Sequence, residues 1–188
     1  DDIVVLSPTG SGKTLSYLLP LSQLVDASSD EVQAVVVVPG RELALQSANV
    51  LKDMGSGLRG MACYGGRPTM DEHRKLREVK PQIVFATPGR LNDHLDKLNI
   101  IADNIKYLVL DEFDKCLEMG FHDEMQALIS KLPHDVRSVL LSATPAEELK
   151  DQKIINSKFT TLNFLPEEEQ VPDRVHIYKV ESPQKDKL

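Results

Sequence analysis

Asp111, Glu112 and Asp114 crowd three carboxylates into four positions, directly after the apolar run Tyr107–Leu110. Two ionised carboxylates ~6 Å apart repel by about 3 kcal/mol at an effective dielectric near 20. Such a cluster at the buried end of an apolar run calls for a cation or a displaced proton. A source for the cation stands near the amino terminus, in "IVVLSPTGSGKTLS" (3–16). A strand ending at Leu6 runs into a loop with Gly10 and Gly12, and Lys13-Thr14 opens a helix. Glycines let backbone amides turn onto a phosphate without side-chain clash, and a helix N-terminus adds partial positive charge. Ser7, Pro8, Thr9, Gly10, Ser11, Gly12, Lys13 and Thr14 are therefore the candidate nucleotide-binding residues. Lys13 is suited to the β- and γ-phosphates and the Thr14 hydroxyl to Mg²⁺. Asp111, at the end of another strand, is the second metal candidate, and Glu112 is placed to orient and deprotonate an attacking water. The full pattern GxxxxGK[ST] has Gly where this chain has Ser7. The plainer alternatives are a Gly-rich turn and a solvated acidic cluster; finding both signals in one chain favours an NTP-binding, NTP-hydrolysing domain.

These groups need elements to hold them. Short β-branched runs at 3–6, 34–38, 60–64, 82–86, 107–110, 138–141 and 160–164 alternate with amphipathic stretches at 12–25, 41–54, 70–79, 90–98, 123–132 and 146–155. Most of the runs are continuously apolar, the mark of parallel strands covered on both faces. The alternation predicts a doubly wound α/β domain with a mostly parallel sheet and helices on both faces. Near residue 165 the texture changes: "LPEEEQVPDR" is acidic, holds two prolines and reads as a linker. The expected division is 1–165 as one domain and 166–188 as an acidic linker together with either the start of another domain or a last edge strand with a frayed tail.

Bulk properties narrow the class. With 41% hydrophobic and 27% charged residues the 188-residue chain is that of an ordinary globular protein. Its apolar runs are too short to cross a bilayer, and the chain opens without a charged-then-apolar leader. Cys63 and Cys116 share no metal-type spacing and fit buried thiols in a reducing compartment. A net charge of −7 argues against gripping nucleic acid by bulk electrostatics, though not against a local site.

With the two motifs placed, the remaining short strings fall into a known order. The chain resembles the first RecA-like domain of DEAD-box helicases, the superfamily 2 RNA-dependent ATPases. "SPTGSGKT" is similar to motif I, "PGRELA" (39–44) to the PTRELA motif, and Gly65-Gly66 to the GG motif. "TPGR" (87–90) matches as it stands, "DEFD" stands where DEAD does, and "SAT" (142–144) matches motif III. The resemblance runs from residue 3 to about 165. It implies ATP as nucleotide with Mg²⁺, and catalytic roles for Lys13, Asp111 and Glu112. It implies RNA-backbone contacts from Pro39, Gly40, Arg41, Gly65, Gly66, Thr87, Pro88, Gly89 and Arg90, with coupling through Asp114, Ser142, Ala143 and Thr144. Backbone amides, hydroxyls and a few guanidiniums suffice for contacts that read no bases, which reconciles an RNA face with the negative charge. Without the resemblance, Gly65-Gly66 and Thr87–Arg90 read as turn punctuation and a helix cap.

Implied partners are RNA and a second RecA-like domain of the same protein, which would supply arginine fingers; membranes are not expected, the protein is expected to be a monomer, and the compartment is cytoplasmic, or nuclear for a eukaryotic source. The domain alone is expected to be nearly inactive. Departures are Gly40 for Thr, Phe113 for a small Ala, and Ser7; adenine preference rests on the resemblance alone. Rival readings are an ATP-gated RNA clamp without turnover, a DNA helicase of the same superfamily and, weakest, a small-molecule kinase or GTPase.

Overall fold

A computed structural model describes residues 3–6, 13–143 and 160–163, with 3–6 and 160–163 as backbone. The strands are β1 (Ile3–Leu6), β2 (Ala34–Val37), β3 (Gly60–Cys63), β4 (Ile83–Ala86), β5 (Tyr107–Leu110), β6 (Arg137–Ser142) and β7 (Thr160–Asn163). The helices are α1 (Lys13–Leu24), α2 (Arg41–Asp53), α3 (Thr69–Val79), α4 (Pro88–Asp96), α5 (Phe113–Glu118) and α6 (His122–Lys131), with a 3₁₀ turn at Ala102–Asn104. The strands form one sheet in the order β3-β4-β2-β5-β6-β1-β7, and every pairing is parallel.

The continuous apolar strands do what two-sided burial demands. Alternate side chains enter two separate cores. Val35, Val37, Leu108 and Leu110 pack with Leu76 of α3, Leu91 and Leu95 of α4, Phe113 and Cys116 of α5, and Met125 and Leu128 of α6. Ala34, Val36 and Val109 pack with Tyr17, Leu18 and Leu21 of α1 and Ala44 and Leu51 of α2. Gly60 shows how tightly α2 sits on the sheet: a Cβ there would come within 2.7 Å of Leu51 Cδ2 and 3.2 Å of Phe85 Cε1.

Every strand lies within one residue of its expected bounds, and five helices lie within two. The expected helix at 146–155 and the linker at 166–188 fall outside the described residues. Helix α5 was not expected; it starts inside the acidic motif, where a string of charges obscures its apolar face. Phe113, its first residue, is fully buried in the α3–α6 core. The ring that replaces a small residue in "DEFD" is therefore a core side chain.

Because all strands are parallel and nearly in register, their carboxyl ends form one edge. Cys63, Ala86, Val37, Leu110 and Leu140 stand side by side along it. In open parallel sheets ligands gather at that edge, outside the strand ends. Six of the expected motifs follow those ends.

Candidate nucleotide site and adjoining loop face

The edge divides in two. The phosphate-loop motif follows β1, the acidic motif follows β5, and "SAT" begins in the last residue of β6; β5, β6 and β1 are consecutive in the sheet. Leu6 pairs in register with Ser142, so the first residue of "SAT" lies against the strand that precedes the phosphate-loop motif. Ser7, Pro8, Thr9, Gly10, Ser11, Gly12 and Thr144 fall outside the described residues. Lys13 and Thr14, the first residues of α1, are half-buried.

Asp111 extends the β5 ladder by one bond, its amide donating to Val37 O at 2.8 Å. Its side chain is only 2% exposed. Burial is the main reason its carboxyl is pushed up to about 6; Lys13 pulls the other way, while Glu112 and Asp114 add to the rise. Lys13 is thus within electrostatic reach of Asp111. Yet Lys13 Nζ and Asp111 Oδ1 are both buried polar atoms without a hydrogen-bond partner among the described residues. Buried polar groups are almost always satisfied, and a cation and an anion that face one site without pairing suit a ligand carrying both signs. A metal-bound anion is such a ligand, with Thr14 and Asp111 as the oxygen donors a hard divalent ion prefers.

Glu112 adopts the left-handed conformation, φ 47° and ψ 51°. For a non-glycine residue this costs on the order of 1 kcal/mol or more and must be enforced by its surroundings. The enforcement is local: Asp111 is fixed by the ladder and Phe113 by the core, and Glu112 makes the turn between them. Asp114 Oδ1 accepts from the Lys115 amide at 3.0 Å. Ser142 is buried and Ala143 half-buried.

Two residues that the sequence did not single out lie beside Asp111 and Thr14. Tyr17 follows Lys13 by four positions, on the same face of α1, and its buried hydroxyl lies against Ser47, Thr14 and Asp111. Burial first, and then the charge of Asp111, push its phenol well above the usual range. Ser47, from α2, is 1% exposed, and neither its Oγ nor the Tyr17 hydroxyl meets full hydrogen-bond geometry. A signal existed: Ala44, Ser47 and Leu51 share the apolar stripe of α2, where a hydroxyl is out of place.

The other half of the edge, β3-β4-β2, carries the expected RNA-contact residues. Val38 N donates to Ala86 O and Thr87 N to Cys63 O, at 2.9 and 3.1 Å, so the three loops are stitched together. Arg41, Gly65, Gly66 and Gly89 are exposed, and Gly40 and Thr87 half-buried. Pro39 and Pro88 are buried. Gly66 has φ +94°, a conformation that favours glycine. Gly40 is the N-cap of α2 and has no side chain to offer the helix amides.

Arg90, expected to touch RNA, has its guanidinium buried beneath the loops, donating to Glu72 Oε1 at 2.9 Å and to Arg67 O at 2.8 Å, in a side chain 8% exposed. Cys63, Glu72 and His94 bring three metal-type ligand atoms within 4.8 Å of one another. Both oxygens of Glu72 are already committed to N–H donors, and burial keeps the Cys63 thiol protonated by pushing it far up. This cluster is a hydrogen-bonded ion-pair centre.

Among the described residues no helix is long and apolar enough to cross a membrane.

The sequence and the fold have counterparts among known proteins. Residues 1–152 match the family model described as DEAD/DEAH box helicase. The ATP-dependent RNA helicase CshA of Limosilactobacillus reuteri is 39% identical over 153 residues, spanning 79% of this chain and 30% of that protein. A solved DEAD box protein from the hyperthermophile Methanococcus jannaschii superposes with a TM-score of 0.78 at 33% identity, over 86% of this chain and 45% of that one. The DEAD-box helicase Mss116, bound to ssRNA and UDP-BeF, superposes with a TM-score of 0.73 at 32% identity, over 86% of this chain and 36% of that one. The chain thus spans less than half the length of these relatives.

Proposed function

The chain belongs to the DEAD/DEAH box helicase family, and from that premise we propose that it is the ATP-binding half of an ATP-dependent RNA helicase that opens short duplexes. The observation that carries this reading is the pair of buried atoms Lys13 Nζ and Asp111 Oδ1, unpartnered among the described residues, at one end of a parallel sheet and beside three loops that expose Arg41, Gly65, Gly66 and Gly89. Lys13 binds the β- and γ-phosphates, Thr14 and Asp111 hold Mg²⁺, and Glu112 takes the proton of the attacking water. When bound, Mg²⁺ neutralises charge on the transferred phosphoryl group. Asp111 is largely ionised at neutral pH even without metal, and the positive charge of Lys13 favours that state.

Arg41, Gly40, Gly65, Gly66, Thr87 and Gly89 offer amides, a hydroxyl and one guanidinium to a phosphate backbone, without reading bases. Tyr17 and Ser47 extend the polar region of the nucleotide pocket to α2, whose first residue is Arg41. They join Asp114, Ser142, Ala143 and Thr144 as the coupling set. Closure over ATP and RNA against a second RecA-like domain is the two-state element that both ligands bias. That domain supplies arginine fingers worth about 10³–10⁵ in rate, so the 188-residue chain alone binds ATP weakly and hardly turns it over. The protein acts as a monomer in the cytoplasm, or in the nucleus of a eukaryote.

The test is RNA-stimulated ATPase and strand separation by the full-length protein, with DNA oligomers as the comparison. Lys13→Ala and Glu112→Gln are expected to abolish turnover; normal turnover in both sinks the reading. RNA binding that depends on nucleotide, without phosphate release, would instead identify an ATP-gated clamp.

A further inference from the structure

The two loops that would face RNA on β3 and β4 are tied together from below by a single carboxylate. Glu72, on α3, is 1% exposed and accepts four N–H bonds. Its Oε2 takes the Tyr64 amide at 2.8 Å and Arg67 Nε at 3.1 Å, both from the loop that carries Gly65 and Gly66. Its Oε1 takes Arg90 Nη1 at 2.9 Å and His94 Nε2 at 2.8 Å, both from α4 behind Thr87 and Gly89. The second nitrogen of each guanidinium closes the circuit: Arg67 Nη2 donates to Ala62 O at 3.0 Å, and Arg90 Nη2 to Arg67 O at 2.8 Å. Asn99 Nδ2 lies 3.0 Å from His94 Nδ1, which fixes the imidazole with its Nε2–H toward the carboxylate. Burial alone would raise the Glu72 carboxyl; the bonds from His94, the Tyr64 amide and Arg90 outweigh it and keep the group ionised.

A buried carboxylate with four donors is costly to assemble and costly to break, because each donor left behind is itself desolvated. One glutamate on a helix that carries none of the RNA-facing motifs therefore fixes the separation and tilt of two loops that do. We propose that Glu72 is the positioning residue of the RNA face: its carboxylate holds the Gly65-Gly66 loop and the Thr87–Gly89 turn in the one relative placement that lets both meet the same phosphate backbone. Arg90, in this arrangement, acts through Glu72 and not on the nucleic acid. The proposal rests on the helicase reading above and deepens it.

Glu72→Gln preserves shape but cannot preserve the bonding. Whichever way the amide lies, its NH₂ confronts two N–H donors, from α4 on one side or from the loop on the other. The experiment is the ATPase of the full-length protein as a function of RNA concentration at saturating ATP. Glu72→Gln is expected to raise the half-saturating RNA concentration about tenfold while kcat at saturating RNA stays within about threefold of the parent. A purely structural role would lower the melting temperature and leave the half-saturating RNA concentration unchanged, and that result overturns the proposal. Should Glu72→Gln fail to fold, Arg67→Gln decides: its side chain is 36% exposed, and it removes only the loop-side arm. A several-fold rise in half-saturating RNA supports the proposal, and a value within twofold of the parent refutes it. A parent protein that RNA does not stimulate at all fails the helicase reading itself, and the proposal with it.

Discussion

Phe113→Ala restores the small residue usual in the family and should nevertheless damage this protein. The ring is fully buried, among the largest of the wholly enclosed side chains, and packs in the core formed by α3 to α6. Removing it forfeits the transfer energy of an aromatic side chain, about 1.5–3 kcal/mol. It also opens a cavity of roughly 100 Å³, which at about 24 cal/mol per Å³ adds up to about 2 kcal/mol if the walls do not relax. The expected loss is about 3–5 kcal/mol, or a fall in Tm of roughly 10 °C for a chain of this size. Urea unfolding of the 188-residue chain followed by circular dichroism measures it, with Phe113→Leu as a milder control expected to cost about 1 kcal/mol. Because the ring also anchors the turn that holds Glu112 left-handed, kcat of the full-length variant should fall more than its affinity for ATP. A stability change under about 1 kcal/mol would show that the ring does not fill this core and would refute the reasoning.

Other perturbations test separate parts of the site. Asp111→Asn should stabilise the chain in EDTA at pH 7.5 by up to about 3 kcal/mol, since the native carboxyl titrates near 6 against 3.8 for the free group. The sign follows from the raised value: the native state holds this proton more tightly than the unfolded chain, so the carboxyl's penalty grows as pH rises from about 4 to 6.5 and then levels off. Denaturation midpoints of variant and parent should therefore converge near pH 4; a constant difference across pH would contradict the assignment. Arg90→Lys should weaken RNA binding without changing its dependence on salt, because no phosphate contact is lost. A fall of about one in the slope of log K against log salt would mark Arg90 as a direct contact. Gly40→Thr places a hydroxyl at the N-cap of α2 where a Cβ meets nothing within 4 Å. It should add a few tenths of a kcal/mol to stability in thermal unfolding and tighten RNA binding several-fold; weaker binding would remove Gly40 from the RNA face.

The strands and most helices were legible in the sequence because a sheet buried on both faces leaves continuous apolar runs, and its crossover helices leave a 3.6-residue stripe. Lys13, Asp111 and Glu112 stood out for a different reason: the proposed chemistry asks for particular residue types at a strand end or a helix start. Helix α5 was not, since Phe113 and Cys116 supply only two buried positions within a run of charges. The cluster of Glu72 and Arg90 was not legible, for a physical reason. A charged residue on an amphipathic helix is usually solvated, and only the third dimension shows that Glu72 is satisfied by Arg90 and His94, 18 and 22 residues away, as well as by nearby Arg67. Tyr17 was not singled out in the sequence; its ring is core, and its hydroxyl lies against Thr14, Ser47 and Asp111.

The central claim is that Lys13 and Asp111 face one magnesium–triphosphate. A crystal of the full-length protein grown with Mn²⁺ and a non-hydrolysable ATP analogue tests it directly, since manganese is located by anomalous scattering. The expected result is a manganese peak next to the Thr14 hydroxyl and on the Asp111 carboxylate, directly or through one water, with the γ-phosphate on Lys13 Nζ. A manganese–nucleotide bound elsewhere, leaving Lys13 and Asp111 without it, would contradict the account.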